Sequence, residues 1–389
     1  MAMPDTTVAD TVAALAEALA ESHSLGSARR IRGSGTWLDS GRPVHAEHTL
    51  ETRGTAGVIE YVPGDLVITV GAGTTLAEIA AVTAEQNQWL ALDPFGDDSG
   101  TIGATVATAS SGPLASGMGR VRDLVLGLSM LASDGSAVRA GGRVVKNVAG
   151  FDLVRLATGA FGTLGVITEV SVRLHARPEF DETYVVGLDA RRQATDASVH
   201  GLGFLALELV SVPTVGDVPV ASIADGEWAL LARVSGNRDR VRAQRAQLQQ
   251  FGTPVAVGND VWQRLRAMDG ARSAVVRVTD APSKLGGTII AVQQALSAAG
   301  VVDAALCATP STGRVRVSVP YRDEDDAAPR ALVKSMKDLG ASVVWERLPA
   351  DCWAWVPPAA TDPVSVRIRD AFDPHHTLNR GIFGPMGGH

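Results

Sequence analysis

"GAFGTLGVITEV", residues 159–170, sets three glycines (Gly159, Gly162, Gly165) at intervals of three ahead of a β-branched apolar run. A chain that gives up side chains so regularly beside a strand clears room for another backbone or for a ligand. Three upstream segments share the texture: "RGSGTW" (32–37), "VGAGTTLAEI" (70–79) and "GTIGATVATASSG" (100–112). Loops of glycine and hydroxyl residues between strands aim successive backbone N–H groups at one centre and make a nest for phosphate. Arg32-Gly33-Ser34-Gly35-Thr36 has that composition. No GK[ST] follows it, which excludes a Walker loop, and no GxGxxG is present, which excludes a Rossmann fingerprint. In the third segment Gly103 and Ala104 keep the backbone open, while Thr101, Thr105, Thr108, Ser110 and Ser111 supply hydroxyls.

The rest of the chain limits the alternatives. Its 389 residues are 46% hydrophobic and 20% charged, enough for two domains with sizeable cores. The net charge of −7 is spread out with no basic stripe, so neither nucleic acid nor an anionic membrane is the expected partner. Two distant cysteines, Cys307 and Cys352, exclude an iron–sulfur site, a thiolate zinc site and a disulfide framework within this chain. Without a hydrophobic leader or an apolar run of about 18 residues, a cytoplasmic chain with no membrane span is expected.

Apolar spacing predicts an amphipathic helix over 6–22 and a second helix, "TLAEIAAVTAEQN", capped by Thr75. Strands are expected at "DLVITV" (65–70) and "LVLGLSML" (124–131), the latter entering an Asp134-Gly135 turn. Arg177-Pro178 marks a boundary. Beyond it, "EWALLARVSG", "ARSAVVRVTD" and "GRVRVSVP" each precede a long helix, which predicts an antiparallel sheet covered on one face. The expected fold class is α+β, with domains at 1–178 and 179–345 and a C-terminal segment at 346–389.

The ordered set "RGSGTW … VGAGTTLAEI … TIGATVA…SSG … RVRDLVLGLSMLASDGS … GGRVVKNVAGFDLVRLATGAFGTLGVITEVSVRL" resembles the FAD-binding domain of the vanillyl-alcohol oxidase and p-cresol methylhydroxylase family. Within it, the set is most similar to the FAD-binding subunits of glycolate oxidases, as is the tail "WAWVPP … RIRDAFDPHHTLNRGIFG". The resemblance implies a two-subdomain FAD domain, an α+β cap and a tail that returns to the FAD domain. It implies FAD held by Arg32, Gly33, Ser34, Gly35, Thr36, Trp37, Pro94, Thr101, Gly103, Ala104, Thr108, Ser111, Gly112, Asp123, Lys146, Gly162, Gly165 and Val166. On that basis the glycines make room for a dinucleotide. Where relatives attach the flavin covalently, this chain has Thr36-Trp37, so non-covalent FAD is expected. Ala104 replaces a family glycine, and Asn379-Arg380-Gly381 replaces the usual closing "NPG".

The resemblance further implies a 2-hydroxy-acid substrate, a homologous catalytic flavoprotein subunit and an iron–sulfur subunit as partners. A free-standing FAD oxidoreductase acting on its own hydroxy acid or alcohol stays open beside it. Oxidising a 2-hydroxy acid needs a proton acceptor or a metal, and cations for the carboxylate. The HxGDGNxH-type metal motif of catalytic relatives is missing, and no metal site is expected. His375, His376 and Arg122 are the catalytic candidates. Arg120, Arg122 and Asp123 read equally as salt bridges at a seam. Lys146 and Arg155 either offset cofactor charge or pair with Asp152. Trp353 and Trp355 wall a pocket or pack a core.

Overall fold

The computed structural model describes residues 5–142, 152–188, 203–211, 228–322 and 327–385. Lys146 and the acidic run 323–326 lie outside them. Two β systems are joined at residues 177–179, where Ala176 ends a short strand and Phe180 begins the next sheet.

The first system has two sheets. Asp5–Val8, His48–Glu51 and Arg29–Arg32 form a parallel three-stranded sheet with His48–Glu51 in the centre. Against it lies the helix Val12–Leu25, whose Leu15 and Leu19 are fully buried. This corrects the expected helix over 6–22. Val8 lies i−4 from Val12, which imitates a helical stripe, yet Asp5–Val8 pairs with a strand forty residues away. Thr11 caps the helix by accepting the Ala14 N–H. The second sheet is antiparallel, in the order Val58–Val62, Val67–Gly71, Val166–Arg173, Val125–Leu131, Ala137–Gly141. Its apolar face is covered by the helices Leu76–Ala84, Ile102–Thr108 and Val121–Leu124. The helix expected after Thr75 forms, held by a capping box with Glu78.

The second system is one eight-stranded antiparallel sheet. Its strands alternate strictly. Val315, Val317 and Val319 join Leu306, Ala308, Val276 and Val278 under the helices Arg238–Leu248, Leu285–Ala298 and Ala327–Ser335. The intervening residues face the other way, and that face is not bare. At one end Val185, Ala229 and Leu231 pack on Val261, Trp262 and Leu265 of the helix Asp260–Arg266. The expectation of a sheet covered on one face is therefore corrected to one covered on both, a short helix and the first β system sharing the second face. That face carries Glu208, Arg277, Cys307, Thr309, Arg314, Arg316 and Glu346.

The C-terminal segment returns to the first system. Leu378 bridges to Arg29, Asn379 Oδ1 accepts the Ile31 N–H at 2.8 Å, and Asn379 Nδ2 donates to the Phe161 carbonyl at 2.7 Å. Asn379 thus ties the strand before "GSGTW" to the "GAFG" loop, with φ 45°, a left-handed value that asparagine tolerates.

Candidate functional site

A cleft with about 780 Å³ of empty space, part of it open to solvent, lies in the first system, and a second with about 560 Å³, also partly open, adjoins it beneath the eight-stranded sheet. Trp37, Ser40, Thr108 and Phe161 belong to both walls.

Arg32, Gly33, Gly35, Thr36 and Trp37 line the first cleft on one side, Gly103, Ala104, Ala107 and Thr108 along one face of their helix, and Gly162, Gly165 and Val166 at the far end. Ser34 is turned away and donates to the Ser99 carbonyl at 2.7 Å, which pins the loop. Thr101 caps the helix Ile102–Thr108 through the Ala104 N–H, and Asp123 caps Val121–Leu124 by accepting the Arg120 N–H at 2.9 Å. Pro94 offers its carbonyl to Arg266. Gly112 packs on the Asp93 backbone, and Ser111 lines the second cavity.

The glycines do something other than hollow out a dinucleotide-shaped space. A Cβ on Gly165 would meet the Leu131 carbonyl at 2.7 Å, one on Gly103 the Ala72 side chain at 2.8 Å, and one on Gly33 the Thr101 side chain. Their missing side chains are replaced by protein. What the cleft gains is backbone drawn in close. Two buried polar atoms there, Arg32 Nε and Thr36 Oγ1, have no hydrogen-bond partner among the described residues. Orphaned donors beside such a backbone fit the phosphates of a dinucleotide.

Neither His375 nor His376 reaches either cavity. The turn after the helix Pro363–Phe372 faces the N-terminal helix, so the His375 ring stands edge-on to His23 at 4.5 Å and His376 lies 3.4 Å from Asp370. Arg122 is half exposed beside Asp123, also outside both cavities. Arg155 pairs with Asp152 at 3.1 Å. Trp353 is buried in a small core, and Trp355 is exposed under Arg330 and Lys334. Among the described residues no group of three or more His, Cys, Asp or Glu is placed to hold a metal ion.

The second cavity holds what the sequence reading missed. Arg277, Arg314 and Arg316 point into it from adjacent strands, together with Glu346. Arg277 sits directly opposite Arg316 in the register, a repulsive pairing that Glu346 relieves by binding Arg277 at 3.3 Å and Arg316 at 2.5 Å. Arg316 also pairs with Asp269 and lies over the Phe95 ring at 4.0 Å. Burial alone would raise the Glu346 carboxyl, but Arg316 and Arg277 outweigh it and hold Glu346 below the usual carboxylate range. Burial lowers Arg277, Glu346 raises it, and Arg314, Arg316 and Arg120 lower it further. Arg314 is different. It donates to the Ser111 carbonyl at 3.2 Å and the Thr309 hydroxyl at 3.1 Å, and no carboxylate among the described residues forms an ion pair with it. Of the three guanidinium groups, two are thus held in ion pairs with Glu346 and Asp269, and Arg314 faces the cavity without an ion-pair partner among the described residues. The signal was the Arg-Val-Arg-Val-Ser-Val alternation of 314–319, which puts cations on every second position.

An FAD binding domain model matches residues 6–141. The chain is 35% identical over 238 residues to glycolate oxidase subunit GlcE of Escherichia coli (strain K12), covering 61% of this chain and 63% of that protein. It is 31% identical over 189 residues to glycolate oxidase subunit GlcD of Bacillus subtilis (strain 168), covering 47% and 40%. It is 34% identical over 159 residues to a mitochondrial D-lactate dehydrogenase [cytochrome] of Arabidopsis thaliana, covering 41% and 28%. The chain therefore spans less than two thirds of the length of these relatives. In fold it resembles alkyldihydroxyacetonephosphate synthase, with a TM-score of 0.73 at 14% identity over 97% of this chain and 76% of that one.

Proposed function

We propose that this chain, which carries an FAD-binding domain of the p-cresol methylhydroxylase type, is an FAD-carrying subunit of a 2-hydroxy-acid oxidoreductase that holds its flavin without a covalent bond. The observation that carries this reading is the anion-deficient arginine pocket opening onto the cleft at Trp37, Thr108 and Phe161. FAD, when bound, supplies the two-electron acceptor for the CH–OH carbon. Arg32, Gly33, Gly35 and Thr36 would hold its phosphates, and Gly103, Ala104, Thr108 and Val166 would flank the rest. Arg314, with Arg277, would bind and orient a carboxylate.

No histidine among the described residues lines either cavity, so the proton acceptor is assigned to a partner, a homologous flavoprotein, with an iron–sulfur subunit to carry electrons onward. The arginine pocket itself favours a second reading, in which the chain oxidises its own acid. Dye reduction by the lone chain with glycolate or D-lactate decides between them. The subunit reading expects turnover well below about 1 s⁻¹ alone and a gain of at least about 10²-fold when the partner flavoprotein is added. Turnover at or above about 1 s⁻¹ by the lone chain replaces it with the free-standing enzyme. Flavin that stays attached to the chain through acid denaturation overturns the non-covalent assignment.

A further inference from the structure

Behind Arg314, away from the cavity, lies a carboxylic acid that the site does not otherwise use. Glu208 is fully buried, with 0% of its surface exposed, in the strand Ala206–Ser211. Both its oxygens lie 2.9 Å from the Thr309 hydroxyl, and the Cys307 thiol donates to it at 3.1 Å. Thr309 in turn accepts from Arg314 Nη2. Cation, hydroxyl and carboxyl thus form a chain that begins in the anion pocket and ends in the interior.

We propose that Glu208, acting through Thr309, positions Arg314 and sets the charge of the arginine pocket, so that an anion binding there draws a proton onto Glu208. The inference rests on the proposed carboxylate role of Arg314. With Glu208 ionised, Arg314 is offset by a carboxylate one hydroxyl away, and the pocket gains little from a second anion. With Glu208 neutral, Arg314 is the uncompensated charge. An incoming monocarboxylate and an ionised Glu208 repel each other through a dry interior, so each favours the other's absence. The proton comes from solvent and goes to a Glu208 oxygen; no other bond is made or broken.

The surroundings set which way Glu208 leans. Burial raises its pKa, against Arg314, Cys307 and Thr309, which lower it. Burial and Glu208 itself raise the Cys307 thiol well above its usual value, so it faces Glu208 as a neutral donor. Across the seam stands Asp93, whose field Glu208 shares, and beside it Arg233, already paired with Asp181 at 2.5 Å, and Arg266, paired with Asp98 at 2.5 Å. Arg316, two residues along the strand on the same face, is held by Asp269 and Glu346.

Calorimetric titration of the FAD-loaded protein with oxamate, a monoanion throughout pH 5.5–9, in buffers of different ionisation heat tests this. The expected result is proton uptake on binding and a Kd that rises with pH, by as much as about tenfold per unit where Glu208 titrates. Glu208→Gln should bind tightly with no proton uptake and a flat Kd. Thr309→Val, which removes the donor that favours the ionised acid, should move the rise to higher pH. If Glu208→Gln fails to fold, this shift carries the test. A wild-type Kd that is flat across the range, or an unchanged rise in Glu208→Gln, overturns the inference while leaving the carboxylate pocket standing. Oxamate binding that Arg314→Met does not weaken overturns both.

Discussion

Arg314 and Arg316 are two residues apart on one strand face, yet the protein uses them in opposite ways. Arg316 is 7% exposed, paired with Asp269 and Glu346 and stacked on Phe95. Removing it in Arg316→Met strands Asp269 and leaves Glu346 to Arg277 alone, and breaking such a buried set costs about 3–5 kcal/mol. Urea unfolding should show that loss. Arg314 gives its hydrogen bonds to a carbonyl and a hydroxyl. Arg314→Met should therefore unfold within about 1 kcal/mol of wild type while anion affinity falls about 10–100-fold, the worth of a charge-assisted hydrogen bond. Equal stability losses in the two variants would contradict this division. The alternation that produces the pair is written in residues 314–319, but nothing local says which face looks at the cleft. That depends on how two domains meet, across about two hundred residues of chain. The same nonlocality misled the choice of His375 and His376, whose adjacency in sequence says nothing of the N-terminal helix against which their turn folds.

Among the elements, those governed by local rules were legible and those governed by distant partners were not. Thr75 and Glu78 form a capping box because their spacing alone satisfies the helix start. Asp5–Val8 is a strand only because His48–Glu51 lies beside it. The glycine loops were legible as a group that the fold brings to one cleft, though not in how they pack: the Cβ directions of Gly33, Gly103 and Gly165 are filled by Thr101, Ala72 and Leu131. Gly35 has φ 89°, and a Cβ there would stand 3.5 Å from Arg32 Nε, the orphaned donor of the cleft. In Gly35→Asp the new carboxylate would capture Arg32 and place negative charge where phosphate is expected, on a strained backbone. Flavin absorbance of the purified variant should be lost, while far-ultraviolet circular dichroism keeps the wild-type shape. Full flavin occupancy would mean that the phosphates lie elsewhere.

At the scale of the whole molecule the two β systems meet along a seam that contains a buried acid. Asp93 is 8% exposed, accepts the Leu114 N–H through both oxygens, and is pushed up to about 7, chiefly by burial, against the hydrogen bond to Leu114 and the charges of Arg266 and Arg233. In the unfolded chain it ionises near the ordinary value, so the folded protein binds the extra proton. Its contribution is fully present below about pH 4 and is lost as pH rises through about 7. Asp93→Asn cannot ionise, so its stability relative to wild type should grow between about pH 4 and 8, by at least about 1 kcal/mol. A pH-independent difference in urea midpoints would show that Asp93 stays ionised in the fold.

Beside the ion pairs Arg266–Asp98 and Arg347–Asp39, several ties along the rest of that seam run from arginines to peptide carbonyls. Arg266 reaches the Pro94 carbonyl at 2.9 Å, Arg314 that of Ser111, and Arg42 those of Trp353 and Val356. Every residue type carries a carbonyl, so the accepting positions are free to drift in identity without loosening the grip, whereas the donors are not. Across divergent descendants of this fold, then, paired covariation along the border should be confined to ion pairs such as Arg266–Asp98 and Arg347–Asp39. At the carbonyl contacts the two halves should instead leave a one-sided record, with arginine retained at each donating position and almost any residue at the accepting one.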